Sequence, residues 1–110
     1  MHKLRRIDPA RGDEIRRSVE EFAGTLKRTR GVKAVYVHGS YLREDLHEGS
    51  DIDMVVVADF PEPFLERIVR VLAMTDLPIE PLVYTEAEFQ EMVAGGNALL
   101  CEVLRSGRQL

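Results

Sequence analysis

Asp51 and Asp53 stand two residues apart at the start of an apolar run, and they are the residues best placed to carry chemistry. Residues i and i+2 of a β-strand project from the same face, so both carboxylates leave the strand together. Two like charges beside a core are costly unless something offsets them. Mg²⁺ prefers carboxylate oxygens. The pair therefore predicts a divalent-metal site, and the alternative is two solvent-facing acids at the mouth of a strand.

A Gly-Ser pair, Gly39-Ser40, follows an earlier β-rich run, and ten residues separate it from Asp51. Glycine allows a phosphate to approach the backbone closely. Backbone N–H groups of the loop, and the Ser40 hydroxyl, can then cradle that phosphate. Such a pair alone usually marks only a turn. Combined with the two aspartates, it predicts a nucleotide–metal site in which Mg²⁺ bridges the phosphates to the carboxylates.

Glu80 is the candidate for a third carboxylate, because it is an isolated acid within an otherwise apolar run. In a two-metal site it would serve as general base for an attacking hydroxyl, or as a metal ligand. The alternative is an acid on an edge strand, which the neighbouring Pro81 favours.

Three other residues are candidates for weaker roles. His38 and Arg43 each have two interpretations, and Cys101 has a structural one. His38 ends the first β-rich run and either hydrogen-bonds a phosphate or is a capping, partly buried histidine. Arg43 either neutralises a triphosphate or pairs with Glu44 or Asp45. Cys101 lies in an apolar run and is predicted to be a small core residue; as the single cysteine it excludes an internal disulfide and fits a reducing cytosol.

The apolar periodicity predicts helices and strands in the order α-β-β-α-β-α-α, which indicates an α/β or α+β domain around a small central sheet. Residues 39–50 are mainly loop, with or without a short helix just after Ser40. We expect a single domain over residues 1–110. The strands are predicted at 32–38, 51–58 and 79–84, and the helices at 13–30, at 62–73, after Thr85 and after Asn97.

The composition narrows the function classes. The chain has 110 residues with 45% hydrophobic and 31% charged residues, as in soluble globular proteins. It has no apolar run near the roughly 20 residues of a membrane span and no targeting segment, so we expect a cytoplasmic protein. The net charge of -4 argues against a nucleic-acid partner.

The charge is unevenly distributed, because residues 1–30 hold nine Lys or Arg against five Asp or Glu. This basic segment is either a solvated helix face or a surface for docking a partner or steering phosphates. The basic residues of the docking interpretation are Arg16, Arg17, Lys27 and Arg28.

The run from Gly39 to Asp53 resembles the Gly-Ser…Ser-Asp-Ile-Asp signature of the minimal nucleotidyltransferases of the DNA polymerase beta superfamily. The similarity extends over nearly the whole chain, and Glu80 falls where that family places its third acid. Similar proteins are often MNT antitoxins paired with HEPN toxins, and some transfer AMP from ATP to a tyrosine of the toxin. The resemblance implies a minimal nucleotidyltransferase core, two Mg²⁺ ions, ATP as substrate and a helical HEPN-type partner. It assigns catalysis and metal binding to Asp51, Asp53 and Glu80, and nucleotide binding to Gly39, Ser40, Arg43 and Ser50.

The chain also departs from the family pattern. Leu42 and Glu44 replace the small residues that usually follow the serine, and Glu80 replaces the commoner Asp. Glu44 adds negative charge beside the phosphate loop and favours a rival function, a non-catalytic antitoxin-like module that neutralises a toxin by burial alone. A transferase acting on a small molecule such as an aminoglycoside would need an additional substrate domain.

Overall fold

The structure, a computed structural model, describes residues 9–43, 46 and 51–110, without the side chains of residues 9–11. Ser50 and Glu44, which the sequence analysis singled out, lie outside the described residues. A four-stranded sheet is flanked by helices, which confirms the α+β class. The strands are β1 (Val32–His38), β2 (Ile52–Ala58), β3 (Ile79–Tyr84) and β4 (Arg108–Gln109). The helices are α1 (Pro9–Lys27), α2 (Phe64–Leu72), α3 (Glu86–Ala94) and α4 (Ala98–Ser106).

The sheet has the order β3-β2-β1-β4. β1 is antiparallel to both of its neighbours, whereas β2 and β3 are parallel and are connected through α2. β2 is buried at almost every position, as expected of a central strand covered on both faces. β3 lies at the edge of the sheet. This agrees with Pro81, because proline has no backbone N–H to donate to a neighbouring strand and is therefore found on edge strands.

Helices cover both faces of the sheet and form two apolar clusters. On one face, α1 and α2 pack through residues such as Val19, Leu26 and Val71 against alternate residues of the strands. On the other face, Leu100 and Val103 of α4 pack on Val55 with partly buried residues of α3. Neighbouring residues of β2 thus serve opposite clusters, which follows from the two-residue period of a strand.

The predicted bounds of β1 and β3 and the predicted starts of the helices after Thr85 and Asn97 are confirmed, whereas α1, α2 and β2 differ by one to four residues. α1 begins and ends earlier than predicted, and Pro63 caps α2 so that it starts at Phe64. The predicted capping box at Thr85 is present, with reciprocal hydrogen bonds to Glu88. Cys101, expected in the core, is only half-buried.

A buried cation connects α2 to the start of α3. Arg67 is only 4% exposed, and its guanidinium donates to both carboxylate oxygens of Glu88 at 3.1 and 3.2 Å. The Thr85 backbone N–H, and then Arg67, hold the pKa of Glu88 below its ordinary value. The same carboxylate therefore caps α3 and neutralises a charge that would be costly to bury alone.

In the described part of the chain, none of the helices is long and apolar enough to cross a bilayer.

Two adjacent leucines of α4 provide a test of this packing. Leu100 is fully buried, whereas Leu99 is 39% exposed. Leu100→Ala should lower the free energy of unfolding by about 2–5 kcal/mol because it leaves a cavity over β2. Leu99→Ala should change it by less than about 1 kcal/mol. Urea unfolding measures both, and equal losses would contradict the proposed packing of α4.

Candidate active site

Three polar residues form a row across the sheet where β1 and β2 meet β3. His38 is the register partner of Asp53 in the antiparallel pair, and Asp53 is the partner of Glu80 in the parallel pair. Paired residues share one face of a sheet. This is the face covered by α3 and α4, but at the row Asp53 and His38 are only half-buried and Glu80 is exposed.

Asp51 joins this row from the residue before β2 begins. The Asp51 carboxylate is the largest cause that raises the pKa of Glu80 above its ordinary value, followed by desolvation and by hydrogen bonding to Asp53. The structure therefore brings together all three acids that the sequence selected. Like charges this close disfavour full ionisation, and a cation or a proton offsets the repulsion.

Gly39 fits against Asp53 in a way that no other residue would. Its φ is +63°, in the left-handed region, and an added Cβ would overlap the Asp53 carboxylate oxygen Oδ2. Gly39 begins a single 3₁₀ turn, Gly39–Leu42, directly after β1. The backbone of the predicted phosphate loop thus lies against the carboxylate of a predicted metal ligand.

Ser40 connects the loop to the acidic strand. Its side chain is buried, and its hydroxyl donates a short hydrogen bond to the backbone carbonyl of Asp51. This bond fixes the residue from which the Asp51 side chain projects. Because the Ser40 hydroxyl donates its one proton to the Asp51 carbonyl, it can only accept hydrogen bonds from a ligand in this structure.

Arg43 follows the 3₁₀ turn and is exposed. Its backbone N–H donates to the Ser40 carbonyl, and its own carbonyl accepts a hydrogen bond from Arg16 of α1. Arg16 was considered as a docking residue from the sequence, and nothing in the sequence pointed to this contact. Lys27, from the same basic set, donates to the Leu110 carbonyl at 2.6 Å, so part of the basic set makes contacts within the chain.

The acids have the donor chemistry of a magnesium site. Within residues 9–43, 46 and 51–110, no three His, Cys, Asp or Glu side chains form a ready-made metal cage. Mg²⁺ does not need one, because proteins commonly hold it with one or two carboxylates plus substrate phosphates. Asp51 and Asp53, with Glu80 close enough for its pKa to be raised, supply such a partial set.

An open groove of about 480 Å³ runs beside the acids and around the edge strand. Polar groups from His38, Asp53 and Glu80 line one part of it. The remaining lining is mostly apolar and comes from α2, β2, β3 and α4: Met54, Ile68, Leu72, Ile79, Pro81, Leu82 and Leu99. No local pattern in the sequence indicates this groove, because its walls come from five separate elements.

Comparison with known proteins gives a match to one family. The model of the nucleotidyltransferase domain family matches residues 19–104. Comparison with curated proteins finds no match.

Two solved structures are similar to the chain. One is a Sulfolobus solfataricus protein assigned as a nucleotidyltransferase, with 24% identity, a TM-score of 0.47, and coverage of 74% of this chain and 73% of that one. The other is a toxin–antitoxin with AMP-PNP, with 17% identity, a TM-score of 0.49, and coverage of 86% and 70%.

The contact between Gly39 and Asp53 can be tested against a matched glycine. Gly39→Ala should displace the Asp53 carboxylate and abolish Mg²⁺-dependent nucleotide binding, in addition to a backbone cost of about 1–2 kcal/mol. Gly96→Ala is the control, because Gly96 also has a positive φ, of 80°, but an added Cβ meets nothing within 4 Å. Calorimetry and urea unfolding separate the two effects. Loss of binding in both variants would show that strain, and not the clash, is responsible.

Proposed function

This chain belongs to the nucleotidyltransferase domain family, and from that premise we propose that it transfers AMP from ATP to a hydroxyl group of a partner protein. The proposed catalytic and metal-binding residues are Asp51, Asp53 and Glu80. The single observation that supports them best is the pairing of Asp53 with Glu80 across β2 and β3, with Asp51 directly before β2. The proposed nucleotide-binding residues are Gly39, Ser40, Arg43 and Ser50.

In this proposal the loop binds the terminal phosphates directly, and the acids bind the triphosphate through metal ions. Backbone N–H groups of the Gly39–Leu42 turn and the charge of Arg43 bind the terminal phosphates. Ser40 contributes through its backbone and through the hydrogen bond that fixes Asp51. Asp51 and Asp53 would hold two Mg²⁺ ions, and the chemistry supplied by bound Mg²⁺ would be activation of the acceptor hydroxyl and neutralisation of the charge on the leaving pyrophosphate.

The reaction is a substitution at the α-phosphorus of ATP. The acceptor oxygen forms a bond to that phosphorus, the bond to the bridging oxygen breaks, and pyrophosphate leaves with the electron pair. Glu80, which is exposed on the edge strand β3, would receive the proton of the hydroxyl. Orientation of the two reactants within about 3–3.5 Å supplies much of the rate.

The groove supports a protein side chain as the acceptor. Its apolar walls and acidic end suit a residue with an apolar body and a hydroxyl tip, such as a tyrosine. The resemblance to MNT antitoxins suggests a helical HEPN-type toxin in the cytoplasm as the partner. We therefore propose that the chain is the antitoxin of such a pair and that it acts by modifying its partner.

The metal dependence of nucleotide binding is the first test. ATP should bind the wild type in the presence of Mg²⁺, and the Asp51→Asn/Asp53→Asn variant should lose the Mg²⁺-dependent part of the affinity. Asp59→Asn is the control, because Asp59 follows the far end of β2 and accepts a hydrogen bond from the Glu86 N–H that an amide oxygen can also accept. Calorimetry with and without Mg²⁺ measures all three proteins. Equal binding in every case would eliminate the proposed site.

The second test is transfer itself. The purified protein, its neighbouring gene product, Mg²⁺ and α-labelled ATP should give a labelled partner, with the modified residue mapped by mass spectrometry. Glu80→Gln should slow transfer on the order of 10²-fold and leave the fold intact, since the amide is nearly isosteric. Glu91→Gln, on the exposed face of α3, should transfer at the wild-type rate.

The outcomes of this experiment separate the alternatives. A stable complex without label would mean a binding module that neutralises its partner by burial alone. Label on RNA or on a small molecule would contradict a protein acceptor. Unchanged turnover of Glu80→Gln would reduce Glu80 to a structural acid of the edge strand.

A further inference from the structure

One arginine of α1, Arg16, contacts the Gly39–Arg43 loop. The Arg16 guanidinium donates a hydrogen bond to the carbonyl of Arg43. The same group lies over the Tyr41 ring, 5.9 Å from its centroid, and 4.0 Å from the Asp13 carboxylate. One side chain of α1 therefore contacts two residues of the loop.

Other contacts of α1 with the loop leave it little freedom. Tyr41 is 1% exposed, and its hydroxyl donates to the Glu20 carboxylate at 3.4 Å. Beyond the loop, Gly12 of α1 lies so close to Leu46 that an added Cβ would be 2.9 Å from the Leu46 carbonyl oxygen. At its other end, the loop is fixed by the hydrogen bond from Ser40 to Asp51.

We propose that Arg16 is a positioning residue for nucleotide binding, an inference that rests on the proposed function. By holding the Arg43 carbonyl and covering Tyr41, Arg16 fixes the Gly39–Arg43 backbone in the shape that receives the phosphates. Its guanidinium is engaged by the loop through these two contacts. Arg17, the next residue, is exposed on α1 and lines a separate groove against Leu77 and Pro78.

The two adjacent arginines give a matched pair of variants. Arg16→Gln and Arg17→Gln each remove one positive charge from α1, but only the first removes the contacts to the loop. Arg16→Lys keeps the charge and one donor for the Arg43 carbonyl. Binding of AMP-PNP with Mg²⁺ is measured by calorimetry, and amide hydrogen exchange of residues 40–43 is measured in the ligand-free proteins.

We expect Arg16→Gln to raise the Kd for AMP-PNP roughly tenfold, as for loss of one charge-assisted hydrogen bond. The amides of the loop should exchange faster, and the melting temperature should change little. Arg16→Lys should recover most of the affinity, and Arg17→Gln should resemble the wild type in both measurements.

Two results would overturn the inference. Exchange of residues 40–43 that is the same in Arg16→Gln and wild type would show that Arg16 does not hold the loop. Equal weakening by Arg16→Gln and Arg17→Gln would assign the effect to net charge. Failure of the proposed function is a separate result: the wild type would not bind AMP-PNP, while faster exchange in Arg16→Gln would still report the contact with the loop.

Discussion

The close approach of the Asp53 carboxylate to the Cα of Gly39 is the constraint on which the arrangement depends. A Cβ at this position would displace the Asp53 carboxylate, and the positive φ at the end of β1 favours glycine as well. Because β1 and β2 are paired, this contact fixes the distance between the loop and the acidic strand. A flexible connection would not hold the proposed phosphate-binding turn beside the proposed metal-binding carboxylate within the few ångströms that catalysis requires.

Much of the fold follows from the sequence because its signals are local. The two-residue period of the strands, the capping box at Thr85 and the cap at Asn97 all depend on residues close in the chain. β4 was not predicted, because no local signal marks it. Arg108 and Gln109 carry no apolar pattern, and they form a strand only because β1 presents a free edge to them.

The candidate site was predictable in its composition but not in its internal contacts. The three acids stand out because each is a charge in or beside an apolar run, which is costly in any fold. Gly39 was selected for a phosphate, yet in the structure its missing Cβ makes room for Asp53. The contact of Arg16 with Arg43 joins residues 27 positions apart and depends on how α1 packs, so no local pattern could indicate it.

Under the proposed function, the position of Glu80 on an edge strand bears on how ATP would be protected from hydrolysis. A groove beside the acids that is open to solvent admits water, and water is itself an acceptor for an activated α-phosphorus. The central strand cannot shield the third acid, because β3 has no further strand beyond it in the described sheet. Only a molecule bound over this edge can therefore exclude water from the acids. Under the proposed function, the partner that receives the nucleotide would therefore also suppress the hydrolysis of ATP.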